Sequence, residues 1–302
     1  MSRTLVLAVT TISSFLTPFM SSSINVALPV IGEEFSMDAI LLGWVSTSFL
    51  LSSAMFLVPF GRAGDLFGRG RVFMTGLLLY TLASLLCAAS FSAASLIAFR
   101  ILQGVGSTMV FATGTAILIS VFPPEERGRA LGINVTGVYL GISMGPFIGG
   151  FLTHALGWRS VFYANILVGL AILAMAWRII RRERPARDEA AGPFDIRGTL
   201  AYAAVIPLVM YGLSALPSVR GLVLLAAGSI GFFVFLMAER SRKNPLVPLS
   251  LFSNRVFAFS NLAALINYSA TFASSFLLSL YLQYIKGMSP QYAGLVLVAQ
   301  PA

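Results

Sequence analysis

An arginine stands inside a long apolar stretch, at Arg100, and a glutamine follows three residues later at Gln103. A charge at membrane depth costs at least about 2.5–3.5 kcal/mol, so such a side chain is expected to face a protein interior or a watery cavity. Ser107 follows at helical spacing and extends the same face. The alternative is that Arg100 sits near a helix end and reaches the membrane surface.

Other polar side chains in apolar stretches could line a path for a small molecule or a proton. Each could instead bond a neighbouring helix, which stabilises membrane bundles by about 0.6–2 kcal/mol per contact. The predicted pathway residues are Arg100, Gln103, Asn25, Ser21, Asn134 and Tyr139.

Catalytic and metal-binding patterns are absent from the sequence. His154 is the only histidine and Cys87 the only cysteine, which excludes an intrachain disulfide and a multi-histidine metal site. No H-E-x-x-H motif and no mid-span carboxylate pair occurs. We therefore expect no enzyme activity, no metal and no cofactor.

The composition predicts an all-α integral membrane protein. Of the 302 residues, 57% are hydrophobic and only 10% are charged, against about 25% in soluble domains. The net charge of +9 does not indicate nucleic acid, because the basic residues lie in short gaps between apolar runs. The expected surroundings are a lipid bilayer.

Nine apolar runs are long enough to span a membrane as helices, and a tenth begins near the C-terminus. The first is too long for a signal peptide. The runs lie near residues 4–31, 41–60, 72–91, 95–121, 131–155, 160–179, 197–216, 220–238 and 256–285, with 290–302 opening another.

The basic residues predict the orientation. Sorted by alternate loops, sixteen of the twenty lie on the side of the N-terminus and three on the other side. The positive-inside rule then places the N-terminus in the cytoplasm of a multi-pass protein of the cell membrane.

A polar gap near residues 178–197 divides the chain. We expect a six-helix bundle over 1–180, a linker with two extra spans over 181–239, and the start of an incomplete second bundle over 240–302. The last apolar run has no basic residue after it, so the chain is expected to be a fragment of a longer transporter.

The gap between the second and third runs carries a glycine- and arginine-rich motif. It reads G-R-A-G-D-L-F-G-R-G-R over residues 61–71, and its glycines permit a tight turn. This spacing resembles the G-x-x-x-D-x-x-G-R-x-R signature of the major facilitator superfamily. The resemblance implies a cytoplasmic gating loop that contains Gly61, Asp65, Gly68, Arg69 and Arg71.

Glycines recur at every fourth position of the fifth run, which lets another helix approach closely. The stretch from Gly141 to Gly150 also resembles the g-x-x-x-G-P-x-x-G-G motif of antiporters and exporters in that superfamily. The helix-packing motif comprises Gly137, Gly141, Gly145, Pro146, Gly149 and Gly150.

Further segments are similar to the fourteen-span drug:proton antiporters. They include N-V-A-L-P from Asn25, G-W-R-S-V-F-Y-A-N from Gly157, and the two extra spans after the sixth. The resemblance implies proton-coupled efflux of drugs or amphipathic molecules by alternating access, a role of Arg100 in proton coupling, and a monomer. A metabolite facilitator or importer and a non-transporting fragment are the alternatives.

The chain departs from that family in its first span. The family has an acidic residue shortly before N-V-A-L-P, where this chain has Ser21, Ser22 and Ser23. None of its eleven acidic residues lies near the middle of a predicted span. A coupling carboxylate is therefore not expected within these 302 residues.

Overall fold

The protein was analysed as a computed structural model, which describes residues 3–180, 196–241 and 249–299. The described chain forms ten α-helices and two short helical turns. Their bounds are α1 Arg3–Glu34, α2 Ala39–Phe67, α3 Arg69–Ala88, α4 Ala93–Val121, α5 Pro124–Leu156, α6 Arg159–Ile180, α7 Ile196–Ser214, α8 Val219–Arg240, a 3₁₀ turn Leu249–Ser253, α9 Arg255–Leu280, a π-helical turn Tyr281–Ile285 and α10 Pro290–Leu297.

The predicted all-α membrane fold is confirmed. Eight of the ten described helices are long and apolar enough to cross a membrane, and α7 is a shorter apolar helix. Helices are the expected form because a backbone surrounded by lipid must satisfy its own hydrogen-bonding groups. Buried side-chain hydroxyls also find their partners within the same helix. Thr10 and Ser13 donate to the carbonyls of Val6 and Val9, one turn earlier.

Several helices extend beyond their predicted apolar runs. The prediction of a loop over residues 61–71 was wrong, because α2 continues to Phe67 and α3 begins at Arg69. The chain reverses at Gly68 alone, whose φ of 99° is readily adopted only by glycine. Similarly, α5 starts at Pro124 and carries Glu125 and Glu126 in its first turn, where acidic side chains favour a helix.

Helices α1–α6 pack into one bundle. In this bundle α1 packs on α5, α2 packs on α4, and α3 packs on both α4 and α6. One core cluster surrounds Phe49, Phe73 and Tyr80, and a second surrounds Trp158 and Phe162. We call the end of the bundle at which α1 begins the N-terminal face, and the other end the opposite face.

The remaining helices attach to this bundle in two groups. Helices α7 and α8 form a hairpin that rests on α2, where the Tyr202 hydroxyl donates to the Ala54 carbonyl at 3.2 Å. Helix α9 packs on α1, and α10 packs on α5. Most of the predicted linker, residues 181–195, lies outside the described residues, as do 242–248 at the start of the predicted second bundle.

Candidate functional site

A cavity of about 370 Å³ lies between the six-helix bundle and helices α9 and α10. This is within the size range of pockets that hold drug-sized molecules. Its wall is formed by Thr17, Pro18, Ser21, Ser22, Asn25, Phe49, Leu50, Ser53, Ala54, Leu57, Ser107, Thr108, Phe111, Ile142, Pro146, Tyr268, Thr271, Phe272, Ser275 and Leu297.

The cavity wall combines aromatic rings with neutral polar groups. Phe49, Phe111 and Phe272 come from three different helices, and the polar groups are hydroxyls and the Asn25 amide. Among the described residues, no aspartate, glutamate, lysine or arginine lines the cavity. The wall can therefore stack on a flat apolar molecule and hydrogen-bond its edge.

Contacts between α1 and α9 close the cavity toward the opposite face. The Ser279 hydroxyl donates to the Asn25 carbonyl at 2.8 Å, and the Gln283 amide donates to the Val26 carbonyl at 3.1 Å. Val26, Leu282, Ala293 and Leu297 form a small buried cluster beside them. Helix α1 of the six-helix bundle is thereby joined to α9 and α10 at this end of the cavity.

Helices α5 and α10 cross at the same closed end through a reciprocal proline–glycine contact. A Cβ built on Gly150 would lie 2.4 Å from the Pro290 carbonyl oxygen, and one built on Gly294 would lie 2.1 Å from that of Pro146. Each glycine thus sits against the proline carbonyl of the other helix. No larger side chain fits at either position without separating the helices.

Leu57, Phe111 and Tyr268 in the cavity wall are exposed, whereas Asn25 and Ser107 are buried. The N-terminal half of α9 is also exposed along its described length.

Arg100 is fully buried but does not line the cavity. Its Nε donates to the Val45 carbonyl at 3.0 Å, its Nη1 donates to the Gln103 side chain, and its guanidinium lies 4.3 Å from the Phe49 ring centroid. Among the described residues none of these partners is a carboxylate. The Phe49 ring therefore lies between the Arg100 guanidinium and the cavity.

Gln103 continues this contact into a buried polar network. Its amide donates to the Ser84 hydroxyl at 2.7 Å, and Asn165 donates to the same oxygen at 2.8 Å. The Tyr80 hydroxyl donates to Asn165 Oδ1 at 3.2 Å. Side chains of α3, α4 and α6 are joined in this way, so the geometry of Arg100 and Gln103 is that of a crosslink between helices.

The other predicted pathway residues divide into two pairs. Ser21 and Asn25 line the cavity. Asn134 does not: it is buried between α1 and α5, where its side chain accepts from the Ser14 hydroxyl at 3.2 Å. Tyr139 is exposed and also outside the lining. The structure thus brings only Ser21 and Asn25 together at the cavity.

The glycines of α5 serve two different contacts. Built Cβ atoms at Gly137, Gly141, Gly145 and Gly149 would each lie within 3 Å of α1 atoms, so these four glycines seat α1 within the six-helix bundle. Gly150 faces α10 instead, and Pro146 contacts both the cavity and α10.

The predicted gating residues lie at the N-terminal face, on both sides of the Gly68 turn. Arg69 donates from Nε and Nη2 to Asp65 Oδ1 at 2.9 and 2.8 Å, and from Nη1 to the Ala116 carbonyl of α4. These contacts join α2, α3 and α4. A Cβ built on Gly61 would meet no atom within 4 Å. Arg71 lies in the first turn of α3.

An ion pair at the opposite face was not predicted from the sequence. Arg159 donates to both carboxylate oxygens of Glu34 at 2.9 and 2.7 Å, and the Trp158 indole donates to Glu34 at 2.7 Å. Glu34 lies beyond the apolar run that ends at residue 31. The Arg159 hydrogen bonds hold the pKa of Glu34 below its ordinary value.

Phe111 of the cavity wall shares the predicted helix face of Arg100 and Gln103, but Ser46, Ser84 and the wall residues Phe49 and Phe272 were not predicted. Ser84 carries one available signal, since it stands one helical turn after Tyr80 within an apolar run. The phenylalanines carry none, because a cavity-facing phenylalanine and a lipid-facing one look alike in a membrane sequence.

Comparison with known proteins gave a family and several relatives. The Major Facilitator Superfamily model matches residues 10–300. The riboflavin transporter of Clostridioides difficile (strain 630) is 32% identical over 98% of this chain and 64% of its own. The methylenomycin A resistance protein of Bacillus subtilis (strain 168) is 32% identical over 92% and 60%, respectively.

A third relative is the multidrug resistance protein Stp of Mycobacterium tuberculosis (strain ATCC 25618 / H37Rv), 31% identical over 91% of this chain and 52% of its own. The chain thus spans between about half and two thirds of these relatives. Among solved structures, the xylose transporter of E. coli in an inward-open conformation aligns with a TM-score of 0.52 and 14% identity, over 76% of this chain and 66% of its own.

Proposed function

The chain belongs to the major facilitator superfamily, and from this membership we propose that it is part of a secondary active transporter that exports drugs or other amphipathic small molecules. The names of the relatives support this class of substrate: one is named for multidrug resistance, one for methylenomycin A resistance and one for riboflavin transport. The superfamily consists of transporters rather than enzymes.

The observation that carries the proposal is the cavity between two groups of helices, which contacts of α1 and α5 with α9 and α10 join at one end. This is the arrangement that alternating access requires, with a binding site near mid-membrane. We further propose that the N-terminal face is cytoplasmic, since the sequence predicts most basic residues in loops on the side of the N-terminus. The cavity would then load from the cytoplasm and empty after the contacts of α1 and α5 with α9 and α10 part.

Proton coupling enters the proposal from the family resemblance. No described carboxylate lines the cavity, so a coupling acid in this part of the chain has no support from the geometry. A facilitator of the same superfamily is the alternative, and a direct transport measurement distinguishes the two.

The test uses the 302-residue chain in proteoliposomes with either riboflavin or ethidium outside. Accumulation above equilibrium in vesicles with an acidic lumen, abolished by a protonophore, is expected for a proton antiporter. Equilibration without a gradient would instead identify a facilitator. No protein-dependent movement of either compound would refute transport by this chain.

The variant that probes the closed face is Gly150→Val. Its side chain cannot fit against the Pro290 carbonyl, so the closed end is expected to open and net accumulation to fall by more than tenfold. Gly132→Val is the matched control, because it lies on the same helix and its Cβ would meet no atom within 4 Å. Equal accumulation by the two variants would refute the role assigned to the α5–α10 contact.

A further inference from the structure

We propose that the cavity selects uncharged aromatic compounds that carry a hydrogen-bond acceptor at the edge of the ring, and that Ser21 and Asn25 bind that acceptor. This inference rests on the transport function proposed above and narrows its substrate class. Binding by itself can be measured without transport, so the two proposals can fail separately.

The charge distribution around the cavity disfavours a cation. The described lining has no carboxylate to replace the water that a cation loses on entering. The buried guanidinium of Arg100 lies directly behind the Phe49 wall, at 4.3 Å from the ring centroid, and adds a positive charge on that side. Its donors are directed at Val45 and Gln103 rather than into the cavity, so it offers no direct contact to an anion either.

A serine fixes the orientation of the Asn25 amide. The buried Ser46 hydroxyl donates to Asn25 Oδ1 at 2.9 Å, which occupies the oxygen and leaves the amide nitrogen as the free end. Asn25 lines the cavity, so its amide nitrogen can donate to an acceptor group of a molecule bound there.

Ser21 lies one turn before Asn25 on the same face of α1. Its neighbour Ser22 donates to the Pro18 carbonyl at 2.8 Å, whereas Ser21 has no hydrogen-bond partner in the described part of the chain. The two side chains therefore form a short row of available donors along the cavity wall. Phe49, Phe111 and Phe272 supply ring faces around this row.

Two dyes with the same fused ring system test the selectivity. Nile red is neutral and carries a carbonyl group, whereas Nile blue is a cation that carries an iminium group at the corresponding position. Binding is measured by fluorescence anisotropy with the chain in nanodiscs, after subtraction of empty nanodiscs. We expect Nile red to bind at least tenfold more tightly than Nile blue.

The variant Asn25→Leu keeps the side-chain size and removes the donor. It is expected to weaken Nile red binding about three- to tenfold and to leave Nile blue unchanged. Asn134→Leu is the matched control: Asn134 is also 5% exposed and also accepts from a serine, but it does not line the cavity. It should change neither dye.

Two more variants separate a binding role from a structural one. Asn25→Asp should shift the preference toward Nile blue, because it places a carboxylate in the cavity. Ser46→Ala, at a positioning residue, should weaken Nile red alone, because the amide can then turn its oxygen toward the ligand.

Tighter binding of Nile blue than of Nile red by the unaltered chain would overturn the inference, as would failure to bind either dye. An Asn25→Leu variant that retains helix content by circular dichroism but matches Asn134→Leu for both dyes would also overturn it. Selective Nile red binding without transport of any compound would leave this site standing and refute the proposed function.

Discussion

The contact between α1 and α5 is tight enough that one methyl group should measurably weaken it. In Gly141→Ala the added Cβ would lie 2.4 Å from the Phe15 carbonyl oxygen and 3.0 Å from the Phe19 amide nitrogen. The first distance is about 1 Å short of ordinary van der Waals contact. Both neighbours are backbone atoms, so the strain cannot be relieved by rotating a side chain.

Overpacking of this kind costs about 1–3 kcal/mol. The control is Gly132→Ala on the same helix, where a Cβ meets no atom within 4 Å. Alanine is the better helix former by up to about 1 kcal/mol, so the control should be neutral or stabilised. The two variants carry the same chemical change and differ only in what the methyl group meets.

The free energy of unfolding is measured in mixed micelles by titration with SDS, with helix content followed by circular dichroism. Gly141→Ala should unfold at lower SDS than the unaltered chain, and Gly132→Ala at the same or higher SDS. If both variants unfold together with the unaltered chain, the glycine stripe is not a close packing contact and the described seating of α1 on α5 is wrong.

Two further predictions concern the charged residues at the two faces. Asp65→Asn removes the charge that holds Arg69 and should reduce transport severalfold while helix content stays unchanged. The control is Asp38→Asn, which alters a helix cap at the opposite face. Equal efflux by the two variants would contradict a gating role. The pKa of Glu34 is lowered by Arg159, so its stabilising effect is present above its ordinary value of 4.5 and is lost as the pH falls through the lowered pKa. The melting temperature of the unaltered chain should therefore fall more between pH 7 and pH 3 than that of Glu34→Gln, and equal falls would contradict the assignment.

Apolar runs of spanning length predict the helices, because a backbone in lipid must satisfy its polar groups by internal hydrogen bonds. The ends were less predictable. Helix α2 continues to Phe67 and α5 begins at Pro124, since turns outside the lipid remain helical when caps and first-turn charges support them. The hydrophobicity of the sequence therefore does not predict these terminal helical turns.

For the predicted pathway residues, too, the sequence predicts one property and helix packing decides another. Arg100, Asn25 and Asn134 were recognised as polar residues in apolar helices, which is a one-dimensional property. Whether each faces a cavity or another helix depends on how neighbouring helices cross. Arg100 and Asn134 bond across helices, while Asn25 reaches the cavity because Ser46 holds its oxygen on the other side.

The membrane location, the helices and the family are predictable from hydrophobicity and from short motifs that are contiguous along the chain. Helix packing decided that Gly149 meets α1 whereas the adjacent Gly150 meets α10. It also decided that Arg100 lies behind Phe49 rather than in the cavity. These outcomes depend on distances between helices far apart in the chain, which only packing fixes.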